Sequence, residues 1–171
     1  MKTIQIAIIT VSDRSSKGER EDSSGPLLVK LAEEQGWNVI FKIIIPDEIP
    51  EIKKTLIEIC DNTETDIILT TGGTGFTPRD VTPEATLSII EKETPGISEA
   101  MRFESLKITP HAMLSRGVCG IRGNSLIINL PGSPKAAKEN FNVVLPVLPH
   151  AIELIRNSPA SDSGHQSGIF H

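Results

Sequence analysis

The sequence predicts an α/β fold of three layers, in which a doubly wound, mostly parallel sheet carries a β-hairpin. Three apolar runs of strand length, at residues 3–11, 37–45 and 67–69, alternate with segments whose apolar residues recur at helical spacing. Such alternation is typical of a parallel sheet with helices on both faces. Two short apolar runs, at residues 119–122 and 126–129, flank a Gly-Asn-Ser turn and predict the hairpin.

The first strand, at residues 3–11, is rich in isoleucine and too short and β-branched for a helix. Gly25-Pro26 then predicts the start of a helix, and Gly36 predicts its end. After the second strand, isoleucine and leucine recur at helical spacing over residues 49–59 and predict another helix. The buried third strand follows that helix.

The second half of the chain is predicted to hold three helices. Thr82-Pro83 gives the first one a hydroxyl N-cap and a proline at its first helical position. A break at residues 94–96 separates it from the second helix. Ser133-Pro134 repeats the start signal and opens the third helix. The apolar side of that last helix comprises Ala137, Phe141, Val144, Leu145 and Leu148.

The composition predicts one domain over residues 1–157, followed by a polar, disordered tail over residues 158–171. The 22 acidic residues outnumber the 17 basic ones and give a formal charge of -5, which argues against a nucleic-acid surface. No apolar stretch approaches the roughly 20 residues that span a bilayer, so we expect a cytoplasmic protein without membrane partners. Cys60 and Cys119 fit neither a disulfide framework nor a metal site, and we expect both to be buried.

The most informative segment follows the third strand. Residues 70–75, TTGGTG, hold three glycines, which permit positive φ angles and let backbone N–H groups approach an anion. The segment lacks the Lys-Ser/Thr of a Walker A loop and the glycine spacing of the dinucleotide fingerprint. A phosphate-binding loop and a tight turn without a ligand are therefore equal alternatives at this point.

Two carboxylates are candidate site residues. Asp80 follows the glycine-rich segment directly after Arg79, and the predicted cap at Thr82 leaves Asp80 without a capping role. Mg²⁺ at phosphates takes one or two carboxylates, which favours Asp80 as a metal ligand. Asp47 lies just past the second strand, where open α/β sheets bind ligands. Position alone, however, favours Asp47 as the N-cap of the helix that follows.

Three further residues each have two interpretations. Ser12 and Asp13 belong to the polar segment at residues 12–24, which is either a mobile flap at a ligand site or a solvated loop. Ser133 is either a simple helix cap or part of an anion site at a helix N-terminus. The residues alone do not decide between these interpretations.

Two long runs resemble one protein family. TGGTGFTPRDVTPEAT, at residues 71–86, and MLSRGVCGIRGNSLIINLPGSPKAAKE, at residues 113–139, closely resemble the molybdopterin adenylyltransferases, namely bacterial MogA and the G domains of gephyrin and its plant counterpart. The resemblance covers residues 4–155. It implies a homotrimer that transfers AMP from Mg²⁺-ATP to the terminal phosphate of molybdopterin and releases pyrophosphate before molybdenum is inserted.

The resemblance also implies site residues. Asp47 in IPDE and Asp80 in TPRD match the two essential aspartates of the family, which reverses the preference for a helix cap at Asp47. We expect both to hold Mg²⁺ as the cofactor, with ATP and molybdopterin as substrates. Nucleotide or pterin binding is expected at Ser12, Asp13, Thr71, Gly72, Gly73, Thr74, Gly75, Arg79, Ser115, Arg116, Asn129, Pro131, Gly132 and Ser133.

Two other functions are alternatives to the enzyme. MoaB-like members of the family include proteins that bind pterin without adenylating it, so a pterin carrier is one alternative. A nucleotide-binding regulatory domain of the CinA-like kind shares the general fold, but the match from LSR to NLPGS disfavours it. The TPRD, LSR and NLPG runs favour the active enzyme. Molybdopterin synthase and molybdenum-insertion proteins are then expected partners.

Overall fold

The computed structural model describes residues 2–156, so the predicted tail at residues 158–171 lies outside the described part of the chain. Strands and helices alternate in the order that the apolar runs predict. The elements are β1 (Gln5–Val11), α1 (Asp13–Ser16), α2 (Ser24–Glu34), β2 (Asn38–Ile45), α3 (Ile49–Asn62), β3 (Ile67–Thr71), α4 (Thr82–Leu87), β4 (Lys92–Glu93), α5 (Pro95–Leu106), a 3-10 helix (Pro110–Leu114), β5 (Cys119–Arg122), β6 (Ser125–Leu130), α6 (Pro134–Val144) and α7 (Leu148–Ile155).

Within residues 2–156, six strands form one sheet in the order β2-β1-β3-β6-β5-β4. Strands β2, β1, β3 and β6 run parallel, whereas β5 pairs antiparallel with both β6 and β4. The predicted mostly parallel sheet and its β5-β6 hairpin are therefore confirmed. Strand β4 has no counterpart in the prediction, because two residues are too few to show a period. From β1, the chain moves to β2 on one side and then to β3 on the other, which creates a topological switch point.

The core lies on both faces of this sheet, because successive residues of a strand point to opposite faces. Ile8 of β1 belongs to one apolar cluster with Phe141 of α6, and Ile9 belongs to a second cluster with Leu56 of α3. All four side chains are fully buried. The predicted three-layer α/β fold is thus confirmed. None of the helices within residues 2–156 combines the length and apolar character needed to cross a membrane.

The last predicted helix is divided in the structure. The prediction places residues 137–148 on one continuous helix, but α6 ends at Val144 and α7 begins at Leu148. Pro146 lacks the N–H that would continue α6, and Pro149 lies in the first turn of α7, where proline is tolerated. Both helices still bury their apolar sides, so the apolar pattern predicts the burial correctly but not the break.

The two cysteines differ in burial. Cys119 is buried as predicted, whereas Cys60 is only partly buried. Burial raises the pKa of the Cys60 thiol to about 11 and the pKa of the Cys119 thiol to about 12. Since the thiolate is the reactive form of cysteine, both thiols are poor nucleophiles at neutral pH.

An ion pair ties the end of α7 to the sheet. Nε of Arg156 donates to Oδ1 of Asp66 at 2.8 Å, and Nη2 makes a second bond to Oδ2. Asp66 is only 6% exposed, and its Oδ2 also accepts the N–H of Gln5 at 2.7 Å. Replacing Arg156 by alanine leaves a buried carboxylate without its cation, so we expect the free energy of unfolding in urea to fall by about 3 kcal/mol.

Lys30→Ala is the matched control for Arg156→Ala. Lys30 pairs with Glu34 at 3.9 Å on the exposed side of α2. Exposed pairs of this kind contribute less than about 0.5 kcal/mol. Equal losses of stability in the two variants would contradict the role given to the pair of Arg156 and Asp66.

Candidate functional site

The parallel strands end at a polar cavity of about 340 Å³, which we call the first cavity. It lies at the carboxyl ends of β1, β2, β3 and β6, beside the switch point of the sheet. Open α/β sheets bind their ligands at this position. The predicted site residues that line the first cavity are Ser12, Asp47, Thr71, Gly72, Gly73, Asp80, Gly132 and Ser133.

The glycine-rich loop forms one wall of the first cavity. Gly72 and Gly73 have φ angles of 106° and 65°, which L side chains rarely adopt. The N–H of Gly72 is used within the fold, because it donates to the carbonyl of Leu130 at 3.1 Å. In contrast, none of the hydrogen bonds among residues 2–156 involves the N–H groups of Gly73 and Thr74. Those two amides are therefore available to an anion.

Thr82 secures this loop and does not have the predicted capping role. Helix α4 begins at Thr82 itself, with Val81 as the N-cap and no side-chain cap bond. The buried hydroxyl of Thr82 donates to the carbonyl of Gly72 at 3.0 Å, and its N–H donates to the carbonyl of Gly73 at 3.1 Å. The predicted N-cap at Thr82 is therefore wrong, because the hydroxyl instead satisfies a buried carbonyl of the turn.

Asp80 lines the first cavity and has a local role that the sequence does not indicate. Its Oδ2 accepts bonds from the N–H and from the hydroxyl of Thr77, both at 2.8 Å. Its backbone carbonyl accepts a bond from Nη2 of Arg116 at 2.6 Å. The position of Asp80 is thus fixed by its own turn and by a distant arginine.

Arg116 donates hydrogen bonds to the backbone of the glycine-rich loop. Its N–H donates to the carbonyl of Thr74 at 2.9 Å, and its Nε donates to the carbonyl of Gly75 at 2.7 Å. Its guanidinium also pairs with Glu84 and holds the pKa of that carboxyl below its ordinary value. These contacts make Arg116 part of the support of the loop, and its direct contact with a ligand stays a prediction.

Asp47 faces the glycine-rich loop from the end of β2. It does not cap α3, whose N-cap is Glu48 without a side-chain bond, so the helix-cap interpretation is wrong. Its Oδ2 accepts the N–H of Asp13 at 2.7 Å, and its Oδ1 would lie 3.0 Å from a Cβ on Gly73. Burial raises the pKa of Asp47, and the negative charges of Asp13 and Asp80 add to this shift. A cation bound beside Asp47 would lower the free-energy cost of its buried negative charge.

The two carboxylates fit Mg²⁺ that arrives with a phosphate. Within residues 2–156, no group of three or more His, Cys, Asp or Glu side chains is arranged to hold a metal ion by itself. Asp47 and Asp80 line the first cavity together with Gly73, whose N–H is available. Mg²⁺ at phosphates usually takes one or two carboxylates and completes its ligands with phosphate oxygens and water. The donor set agrees with that pattern.

The polar segment at residues 12–24 contributes to the wall of the first cavity, which favours the ligand-site interpretation over the solvated loop. Ser12 caps α1 through its hydroxyl. Asp22 accepts the hydroxyl of Thr10 at 2.8 Å and the N–H of Gly25 at 2.9 Å. These bonds anchor the segment to β1 and to the start of α2. Sequence reasoning misses Thr10 and Asp22, although a carboxylate three residues before a helical glycine is a capping signal.

Arg79 crosses between the loops beside the first cavity. Its Nε donates to Oδ2 of Asp13 at 2.9 Å, and its Nη2 donates to Oδ1 of Asp13 at 3.0 Å and to Oε1 of Glu48 at 2.7 Å. The guanidinium holds the pKa of Asp13 below its ordinary value. Neither Asp13 nor Arg79 lines the first cavity.

A second cavity, of about 290 Å³, lies on the other side of the glycine-rich loop. Thr74 and Gly75 line it, as do the predicted residues Ser115 and Pro131. The structure therefore divides most of the predicted site residues between two cavities that share one loop, whereas Asp13, Arg79, Arg116 and Asn129 line neither. Sequence reasoning misses the contributions of α5 and the 3-10 helix, which include Arg102, Ser105, Thr109 and His111.

Two of the predicted site residues, Asn129 and Ser133, make hydrogen bonds within the fold. Asn129 is 2% exposed and lines neither cavity; its Nδ2 donates to the hydroxyls of Thr70 and Thr86 at 2.9 and 3.0 Å. Its Oδ1 accepts the N–H of Val118 at 3.3 Å. Ser133 caps α6 through its hydroxyl and also lines the first cavity, so both of its interpretations agree with the structure.

Comparison with known proteins identifies the family. Residues 7–150 match the family described as "Probable molybdopterin binding domain". The chain is 49% identical over 156 residues to "Molybdenum cofactor synthesis protein cinnamon" from Drosophila melanogaster, which covers 91% of this chain and 26% of that protein. The chain thus spans about a quarter of the length of this relative.

Two bacterial proteins match over most of their length. The molybdopterin adenylyltransferase of Helicobacter pylori is 46% identical over 157 residues, which covers 91% of this chain and 89% of that protein. The solved structure of the molybdopterin biosynthesis enzyme MoaB from Thermus thermophilus is 47% identical, with a TM-score of 0.87 and coverage of 92% of this chain and 99% of that chain. With this fold, this cavity and these relatives, the chain belongs to the "Probable molybdopterin binding domain" family.

Proposed function

We propose that the protein adenylates molybdopterin with Mg²⁺-ATP and releases pyrophosphate, as a step of molybdenum cofactor biosynthesis. The observation that carries this proposal is the glycine-rich loop, which contributes to two cavities at once. ATP would place its phosphates in the polar first cavity, and molybdopterin would enter the less polar second cavity. The Helicobacter pylori relative is named for the reaction that joins these two substrates.

The chain would act by positioning groups and not by covalent chemistry. An oxygen of the terminal phosphate of molybdopterin would bond to the α-phosphorus of ATP while the bond from that phosphorus to pyrophosphate breaks. Asp47 and Asp80 would hold Mg²⁺, which offsets negative charge on the phosphates when bound. The N–H groups of Gly73 and Thr74 would donate to phosphate oxygens, and the N-terminus of α6 adds a partial positive charge at Ser133.

A direct assay tests the proposal. Purified protein with molybdopterin, MgCl₂ and ATP labelled at the α-phosphate should form labelled adenylyl-molybdopterin together with an equal amount of pyrophosphate. Omission of either MgCl₂ or molybdopterin should abolish both products. Saturable binding of molybdopterin without any labelled product would overturn the enzyme function and favour the MoaB-like carrier.

We also propose a homotrimer in which β2 of each subunit contacts a different surface of the next subunit, as a closed ring of three requires. This strand is an edge of the sheet. Its side chains Phe41, Ile43 and Ile44 are exposed by 42%, 43% and 36%. Successive side chains of a strand point to opposite faces, so the edge presents apolar groups on both faces. An open apolar edge of this kind favours pairing with another chain, and a second copy would cover it. The number of three subunits comes from the family resemblance.

Replacing Ile43 by lysine is expected to convert the protein into monomers. The charge would stand on the open edge, where lysine disfavours pairing between strands. Sedimentation equilibrium should then report the 18.5 kDa subunit for the variant and a trimer of that subunit for the wild type. Leu106→Lys is the control, because Leu106 is 42% exposed but lies on α5. An unchanged mass of Ile43→Lys would exclude β2 as the interface.

The same proposal places the protein in the cytoplasm, between molybdopterin synthase and a molybdenum-insertion protein. Support comes from the chemistry of the product, because an adenylylated phosphate carries an activated leaving group that a later step can use. The Drosophila relative is named for molybdenum cofactor synthesis, which agrees with such a place in the sequence of reactions.

A further inference from the structure

We propose that Asp13 and Arg79 form a clamp that holds the carboxylates of Asp47 and Asp80 at a fixed spacing, and that neither residue of the clamp contacts a substrate. The inference rests on the proposed function for its activity readout. It assigns Asp13 and Arg79 as positioning residues, where the sequence predicts ligand contacts. The supporting geometry is a chain of hydrogen bonds across the loops that follow β2, β1 and β3, which are neighbours in the sheet.

The first half of the clamp joins Asp13 to Asp47 by reciprocal bonds. The N–H of Asp13 donates to Oδ2 of Asp47 at 2.7 Å, and the N–H of Asp47 donates to Oδ1 of Asp13 at 3.1 Å. Each carboxylate therefore holds the backbone of the other residue. The loop after β1 thereby sets both the backbone position and the side-chain direction of the metal-ligand candidate after β2.

The second half of the clamp is the bidentate pair of Arg79 and Asp13. Both carboxylate oxygens of Asp13 accept bonds from the guanidinium, at 2.9 and 3.0 Å, and Nη2 continues to Glu48 at 2.7 Å. A planar guanidinium fixes such a pair in orientation as well as in distance, which a lysine cannot do. Because Arg79 directly precedes Asp80, the pair ties the loop after β3 to the other two loops.

The existing bonds of the clamp argue against direct substrate contacts. The oxygens of Asp13 already accept three bonds, and Arg79 already donates three bonds to carboxylates. Neither residue lines the first or the second cavity, whereas Asp47 and Asp80 both line the first. A phosphate that drew Arg79 away would leave the charge of Asp13 beside Asp47 without its cation, which increases their repulsion.

A double-mutant cycle tests the clamp with Asp13→Asn, Arg79→Gln and the double variant. The binding of Mn²⁺ in the presence of ATP, measured by electron paramagnetic resonance against the same mixture of Mn²⁺ and ATP without protein, reports on the carboxylates independently of turnover. Residues that support metal ligands typically change metal affinity by about 10-fold to 100-fold, so we expect a loss of about 10-fold in each single variant. If the two residues act as one unit, the double variant should lose the same factor of about 10 and not about 100.

The turnover number gives a second, catalytic readout of the clamp. The turnover number with α-labelled ATP should fall in parallel with Mn²⁺ affinity, while the KM for molybdopterin stays unchanged. Arg79→Lys keeps the charge without the fork and should behave like Arg79→Gln. Arg14→Gln, on an exposed residue of the same short helix, is the control, and melting temperatures verify that every variant is folded.

Several outcomes would overturn the clamp. Losses that multiply in the double variant would show independent roles, and full function of Arg79→Lys would show that charge alone matters. Weaker ATP binding in Arg79→Gln, with normal Mn²⁺ affinity in Asp13→Asn, would restore Arg79 as a phosphate contact. If the double-mutant cycle in Mn²⁺ binding is as expected but the wild-type protein forms no adenylyl-molybdopterin, the proposed function is contradicted and the clamp stays supported.

Discussion

Asp80→Ala is expected to lower the turnover number of adenylation by about 1,000-fold while the KM for molybdopterin changes by less than about threefold. The carboxylate of Asp80 lies in the first cavity with Asp47, so its removal takes away half of the carboxylate donors proposed for Mg²⁺. The second cavity lies on the other side of the glycine-rich loop and keeps its lining. Steady-state adenylation with α-labelled ATP, measured over a series of Mg²⁺ concentrations, gives both constants.

A second variant, Asp80→Asn, is needed because Asp80 also closes a turn. The N–H and the hydroxyl of Thr77 both donate to Oδ2 of Asp80, and alanine removes that acceptor together with the charge. In Asp80→Asn the amide oxygen can accept the same two bonds, so the melting temperature should stay within about 2 °C of the wild type. The loss of turnover should nevertheless match that of Asp80→Ala. Recovery of activity in Asp80→Asn would contradict the role of Asp80 as a metal ligand.

A carboxylate outside the site controls for a general effect of charge. Asp61 pairs with Nη2 of Arg122 at 2.8 Å and does not line the first cavity. Asp61→Asn removes one negative charge, as Asp80→Asn does, but we expect turnover to stay within about twofold of the wild type. A comparable loss in both variants would trace the effect of Asp80 to long-range charge and not to its place in the cavity.

The fold is predictable because its signals are local. Isoleucine-rich runs identify β1, β2 and β3, and Gly36, with a φ of 74°, ends α2 where the sequence predicts an end. The errors have two different causes. Strand β4 exists because its two residues pair with β5, and the apolar spacing that predicts one helix continues across the break at Pro146.

The site is only partly predictable from the residues. Strand ends and glycines predict where the first cavity lies, because the carboxyl ends of parallel strands meet at one edge of the sheet. The hydrogen-bond partners of Thr82 and Arg116 cannot be predicted in this way. The bond from Thr82 to Gly72 and the bonds from Arg116 to Gly75 depend on how loops approach each other in space, which spacing in the sequence does not reveal. For Asp47, position alone favours a helix cap, which the structure contradicts, and within the sequence only the family resemblance points away from that cap.

Asp47→Asn is expected to lower activity without lowering stability. Turnover should fall by about 100-fold or more, because the variant lacks one of the two charged ligands proposed for Mg²⁺ at the first cavity. Stability should be unchanged or higher. Burial raises the pKa of Asp47, which means that the folded protein disfavours the charged form, and asparagine removes that charge while its amide oxygen can still accept the N–H of Asp13. Adenylation assays and urea titrations at about pH 7 measure the two effects.

The pH dependence of stability separates the effect of the charge of Asp47 from the effect of its side-chain shape. Because the folded pKa of Asp47 is raised, the wild type binds more protons when folded than when unfolded in the range between the two pKa values. Its free energy of unfolding therefore decreases as the pH rises through that range, and this contribution is absent in Asp47→Asn. Groups away from this carboxylate cluster titrate alike in both proteins, so the stability advantage of the variant should be largest at about pH 7 and should shrink as the pH falls through the folded pKa towards the unfolded pKa. A variant that is less stable at neutral pH would mean that the bond to Asp13 needs the charge, and its lost activity would then reflect a damaged loop.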